Sequence, residues 1–197
     1  MREPADEVAL KDTGRFDVPV LTVHLLALAL ALGPMILFVT AVAPAAFRVL
    51  PTRDMAGSLV APVLSTACAL GEGAMLVLFV TSSWLTRAGA PRLLRALLTR
   101  GALLGFFALL AVRQLLIPQI EKIRSEAPGL IDNLPLADPS RVLLDRYHRL
   151  STGFTAAALA AALLVLVMTA RLLAVRRAAP APPAARPEVP KLLDLSD

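Results

Sequence analysis

Four long apolar runs separated by polar connections set the pattern of this chain. The first extends from Val18 to Phe47 and carries no formal charge with His24 neutral. A membrane-spanning helix needs about 20 predominantly apolar residues. This run exceeds that length and predicts a transmembrane helix over 18–47. Gly33-Pro34 predicts a kink, because proline removes a backbone donor and crowds the preceding turn. Pro44 and Pro51 bring the helix to its end. The second stretch, Met55–Thr86, is too long for one perpendicular crossing. It predicts a tilted or amphipathic lead-in near 56–64 and a span over about 62–86, with Trp84 as an interfacial anchor. The third span is expected over about 99–118, interrupted by Arg113 and Gln114. The fourth is expected over about 150–173, where the Ala156–Ala162 run permits close packing. Asp138-Pro139 reads as an N-cap followed by proline at the first helical position. A helix continuous from there projects out of the bilayer.

The predicted fold class is therefore all-α, a polytopic integral membrane four-helix bundle with antiparallel up-down neighbours. The domain plan is a polar N-tail over 1–17, a transmembrane domain over 18–177 and a proline-rich tail over 178–197. That tail, containing AAPAPPAARPEVP, is expected to be extended and disordered.

Composition strengthens this picture. The 197 residues are 57% hydrophobic, with a mean hydropathy of +0.70, well above a soluble domain. The polar N-tail is not followed by the short apolar core and cleavage site of a signal peptide, so the first helix is expected to be an uncleaved anchor. The net charge of +5 gathers at helix ends. Arg87, Arg92, Arg95 and Arg100 form an acid-free basic segment expected to lie against anionic lipid headgroups, with Leu93, Leu94, Leu97 and Leu98 on the other face. No basic groove with interleaved aromatics is present, so no nucleic-acid partner is expected. The N-tail, the basic segment and the C-tail together carry the larger share of Lys and Arg. The positive-inside rule then places both termini in the cytoplasm of a multi-pass inner or plasma membrane protein.

Ionisable residues within spans are rare and are functional candidates. Three stand out: His24, Glu72 and Arg113. At 1.5 Å per residue, Glu72 on the second helix lies about 10 Å below the outer boundary and Arg113 on the third about 12 Å below it. Two helices running in opposite directions thus bring an acid and a base to one depth, and a Glu72–Arg113 pair is predicted. The alternative is that each side chain snorkels separately to the outer headgroups. His24 lies near the cytoplasmic end of helix one, where an interfacial or hydrogen-bonded histidine is expected. His148 lies at the other end of the fourth helix. The two are roughly a 30 Å hydrocarbon core apart, which argues against a haem ligated by both. Cys68 is the only cysteine, and Met35, Met75 and Met168 are scattered, so no metal or cofactor site is expected. No Walker loop, zinc-protease helix, nucleophile elbow or pair of catalytic carboxylates appears, and a non-enzyme is expected. The mixed charges between Glu121 and Arg149 read as a solvated surface.

Three stretches, AVAPAAFRVLPTRDMAGSLV, LIPQIEKIRSE and LLDRYHRLST, together resemble the transmembrane protein 205-like family. The matching positions are Pro44 and Phe47, Ala56 and Gly57, Pro118 and Ile120, and Tyr147, His148 and Ser151, with the aromatic–histidine spacing tighter here. The resemblance covers roughly Leu21–Leu172. It implies a four-helix membrane domain and points to an outer-face surface comprising Pro44, Phe47, Arg53, Ala56, Gly57, Pro118, Arg124, His148 and Ser151. The alternative role of these residues is structural: prolines end helices and Ala-Gly permits close packing.

Three functions are compatible with this sequence. The first is a non-enzymatic membrane protein supporting small-solute or metal handling or a tolerance response. The second is a structural or assembly subunit that docks partners through its long fourth helix and tail. The third, with least support, is a membrane redox protein. Four helices are few for an alternating-access carrier, so transport would call for a homo-oligomer.

Overall fold

The structure, a computed structural model, describes residues 5–87 and 90–178. Those residues form helices and connecting turns, with no strand among them. The elements are α1 (Ala5–Leu37), a π turn (Phe38–Val42), α2 (Ala43–Val49), α3 (Arg53–Leu85), α4 (Arg92–Ala111), a second π turn (Val112–Leu116), α5 (Ile117–Glu126), a 3-10 turn (Ile131–Asn133) and α6 (Pro139–Ala178). Read through the π turns, they make four helices long and apolar enough to cross a membrane, over Val18–Val49, Arg53–Leu85, Arg92–Glu126 and Pro139–Arg177. Only 28% to 44% of each apolar window is buried inside the bundle. Helices apolar on every side, with most of that surface facing outward, suit a lipid environment.

The span boundaries differ from the sequence expectation mainly at the N-terminal ends. α1 is already helical from Ala5, α3 is one helix from Arg53 with no separate lead-in, and α6 runs unbroken from Pro139. The expected proline-rich tail lies outside the described residues, apart from Ala178 at the end of α6. Helical geometry continues through Pro34, and the irregularity falls instead at Phe38–Val42.

Both π turns have the same cause. Pro44 and Pro118 cannot donate to the carbonyls of Thr40 and Gln114, and their rings crowd those carbonyls. In each case the residue before the proline reaches one residue further back. Ala43 N–H donates to the Phe38 carbonyl and Ile117 N–H to the Val112 carbonyl. This widens the turn without breaking the helix.

Helix starts follow ordinary capping chemistry. Thr52 Oγ1 accepts from Met55 N–H at 3.2 Å to cap α3, and Asp138 Oδ1 accepts from Ser140 N–H at 2.8 Å ahead of Pro139, as the sequence suggests. The C-terminal end of α3 is held by two arginines. Arg95 donates to the Thr86 carbonyl and Arg176 to the Leu85 carbonyl, each at 2.6 Å. Cations there also complement the helix dipole. Arg87 lies over the Trp84 ring at 4.7 Å. On the basic segment Leu94 and Leu98 are buried, while Leu93 points outward and leaves the face expected of it.

The spans pack in a ring, α1 on α3, α3 on α4 and α4 on α6, with a lighter contact between α6 and α1. Small residues bring the helices close. A Cβ on Gly105 of α4 would sit 2.6 Å from Met75 Cε of α3, and one on Gly101 would sit 3.2 Å from Val165 Cγ2 of α6. His24 is fully buried and joins three helices. Its Nδ1 is 2.7 Å from Thr81 Oγ1 of α3 and its Nε2 is 2.9 Å from Thr169 Oγ1 of α6. Both hydroxyls also lie within 2.8 Å of the carbonyl one turn back. His24 is therefore a hydrogen-bonded core histidine.

The seam at Gly105 gives a graded expectation. An extra carbon on Gly105 meets both the methyl and the sulfur of the buried Met75, at 2.6 and 2.9 Å, so Gly105→Ala requires Met75 to repack and should cost less than a larger residue does. Gly105→Leu should overpack the α3–α4 seam and cost about 1–3 kcal/mol. Thermal unfolding in detergent, followed by circular dichroism, separates the two. Equal melting of both variants and the parent would show that α3 and α4 do not approach this closely.

Candidate functional site

Two polar features lie in the half of the bundle that contains Arg124. The deeper one is an ion pair. Glu72, between Gly71 and Gly73 on α3, is buried. Arg113 is the second residue of the Val112–Leu116 π turn. Arg113 Nε donates to Glu72 Oε1 and Nη2 to Oε2, both at 2.8 Å. The bidentate fork is the strongest geometry these groups form. The structure thus brings together the two residues placed at one depth from sequence, rather than sending each to the headgroups. An isolated charge at this depth would cost at least ~3 kcal/mol.

The second feature is a cavity of about 450 Å3. α2 packs on α3, and α6 meets α5 on its other side. The gap between α2 and α6 is the cavity, with α3 and α5 as its back wall. Met35, Phe38, Leu64 and Leu159 are among its apolar lining. Val39 and Phe47 on one lip, and Thr152 and Ala156 on the other, are exposed, so the cavity opens sideways between helices. Its volume is that of a small-molecule site, and so is its makeup of many apolar groups with a few polar ones.

Of the nine outer-surface residues singled out in the sequence, Pro44, Phe47, Gly57, Arg124, His148 and Ser151 line this cavity. The other three do not. Ala56 is buried in packing, and Arg53 and Pro118 are exposed on the surface. Sequence reasoning passed over Thr155 and Leu159, although they share one face of α6 with His148 and Ser151 at helical spacing. It also passed over Asp54, next to Arg53. Asp54 Oδ2 accepts from Ile131 N–H at 2.8 Å and so ties the 3-10 turn to the start of α3. Asp54 Oδ1 lies 3.8 Å from Arg124 Nε. Among the described residues no group of three or more His, Cys, Asp and Glu is placed to hold a metal ion. His148 and the His24 node lie at opposite ends of the bundle. His148 and Thr169, the α6 partner of His24, are about 32 Å apart along α6.

The ion pair yields a stability expectation. Arg113 keeps 32% of its side chain exposed, so breaking the pair should cost less than the 3–5 kcal/mol of a fully buried one. Glu72→Gln and Arg113→Gln should each lower the melting temperature measurably. The double variant should lose clearly less than the sum, with a coupling of roughly 1 kcal/mol or more. Additive losses in a reversible detergent unfolding assay would mean that the pair contributes no interaction energy.

Comparison of the chain with protein-family models, with curated proteins and with solved structures found no match, so the site stands on its own geometry.

Proposed function

We propose that this is a non-enzymatic integral membrane protein that holds a small amphiphilic solute in the side cavity between α2 and α6. The observation that carries this reading is the cavity itself. It is mostly apolar, it is lined by helices long and apolar enough to cross a membrane, and its lining includes a few polar side chains such as Arg124. A molecule already dissolved in the membrane can enter it without crossing water. Solute holding needs no catalytic constellation. Metal handling, the other half of the first sequence reading, has no ligand cluster among the described residues to support it.

The same reading places both termini in the cytoplasm and the cavity in the outer half of the bilayer, on the Lys and Arg distribution. Arg87, Arg92, Arg95 and Arg100 then face anionic headgroups of the inner leaflet. Membership of the transmembrane protein 205-like family is part of the proposal and rests on the quoted motifs, several of which fall around the cavity.

The test is native mass spectrometry of the protein released from mild detergent. One small amphiphile per chain is the expected adduct. Ala61 faces the cavity from α3, and Ala61→Phe should fill the space, keep the fold and abolish the adduct. An absent adduct in the parent, or one that survives in the filled variant, would refute the reading.

A further inference from the structure

The polar end of the cavity is built in an unusual way. Five described threonines within helices donate their hydroxyl to the carbonyl four residues back, Thr22, Thr40, Thr66, Thr99 and Thr152, and Thr81 and Thr169 lie within reach of that carbonyl and of His24. That back-bond is the usual resting place for a helical threonine. Thr155, buried in the cavity wall, makes no such bond. Ser58, Ser83 and Ser125 donate to a carbonyl three or four residues back. Ser151, one turn before Thr155 and equally buried, does not, and neither do Ser65 and Ser82 of α3. At the cavity wall Ser151 and Thr155 thus present two neighbouring hydroxyls that make no hydrogen bond among the described residues.

Arg124 stands opposite them. Its guanidinium offers five N–H donors, and none makes a hydrogen bond among the described residues. Its Nε is fully buried and unpartnered. The 3.8 Å to Asp54 Oδ1 is too long for a hydrogen bond. A buried charged donor left unmade is costly, so this arrangement calls for an acceptor. Gly57 positions the group. The guanidinium occupies the space that any Cβ on residue 57 would fill, so its Nη1, Nη2 and Cζ lie directly against the α3 backbone at the cavity wall.

We propose that the cavity takes an amphiphile with an anionic, oxygen-rich head. The head is bound by Arg124 together with the hydroxyls of Ser151 and Thr155, and the acyl chain lies along Phe38, Leu64 and Leu159. This rests on the reading of the cavity as a solute site and names the class of solute. A carboxylate or phosphate accepts from two guanidinium nitrogens at once. A neutral alcohol head offers one oxygen and accepts too little to occupy the guanidinium donors that Asp54 leaves unmade. The sideways opening selects a ligand that arrives from lipid, which excludes free inorganic anions.

Oleate, oleoyl lysophosphatidate and oleyl alcohol offer one chain with three heads. Each is added at the same mole fraction to the full chain in an uncharged detergent, and retention is read by native mass spectrometry. Either anionic probe should be retained at one per chain and at least tenfold more than the alcohol. Arg124→Gln should bring the anionic probes down to the level of the alcohol. Gly57→Ala, which removes the notch while favouring the helix, should lower anionic retention with no loss of melting temperature. If all three probes bind alike and Ala61→Phe removes them alike, the cavity reading stands and the anionic head is wrong. If inorganic phosphate alone displaces the anionic probes at equal concentration, the chain contributes nothing and the proposal also falls. If no probe is retained, both readings fail together.

Discussion

A backbone carbonyl without a donor costs several kcal/mol inside hydrocarbon, because no water is there to replace the lost bond. This chain nevertheless places Pro44 and Pro118 within its apolar helices. In both helices a five-residue π turn stands directly ahead of the proline, closed from Ala43 to Phe38 and from Ile117 to Val112. One extra residue per turn shifts the faces before and after it by about 100°. Much of what is distinctive in the bundle follows from these two shifts. The first leads into α2, and residues of both line the cavity. The second contains Arg113 and sets the direction from which it reaches Glu72.

The ion pair then adds a constraint of its own. A bidentate fork tolerates little sliding between α3 and α4, since both N–H···O bonds must form together. The glycine seam below it points the same way. Gly71 faces Leu109, and Gly105 faces Met75, with distances for an added Cβ near 2.6 Å in both cases. Close backbone approach and a directional polar contact therefore agree on one register. At the other end His24 binds hydroxyls of α3 and α6 at once, and Arg95 and Arg176 hold the last carbonyls of α3. The bundle is pinned by polar contacts at both ends, with the cavity on one flank between α2 and α6.

How much of this the sequence disclosed depends on the range of the interaction. Four spans were legible because length and apolarity alone decide them. The Glu72–Arg113 contact was legible because rise per residue fixes depth, and two charges at one depth have few alternatives. Six of the nine outer-surface residues converge on the cavity because helix ends that carry Pro, Gly and polar residues meet there. The cavity itself was not legible. It depends on how α2, α3, α5 and α6 stand relative to one another, which no local pattern encodes. Gly33-Pro34 looked like the site of distortion, yet the irregular turn lies ahead of Pro44. Proline type alone does not say which freed carbonyl will be accommodated by widening.

The two arginines in this half of the bundle show the difference between a structural and a receptive charge. Arg113 and Arg124 are eleven positions apart, about 17 Å of helical rise. Arg113 meets an internal carboxylate at 2.8 Å through two nitrogens. Arg124 has a carboxylate nearby as well, but Asp54 stops at 3.8 Å and one of its oxygens already accepts from Ile131. The chain thus neutralises Arg124 at a distance without saturating its donors. Gly57 further holds the guanidinium at the cavity wall, where a larger residue would exclude it. A purely structural arginine would gain by closing the last ångström to Asp54, as Arg113 does with Glu72. On the proposed reading, the donors left open are those that meet the anionic head.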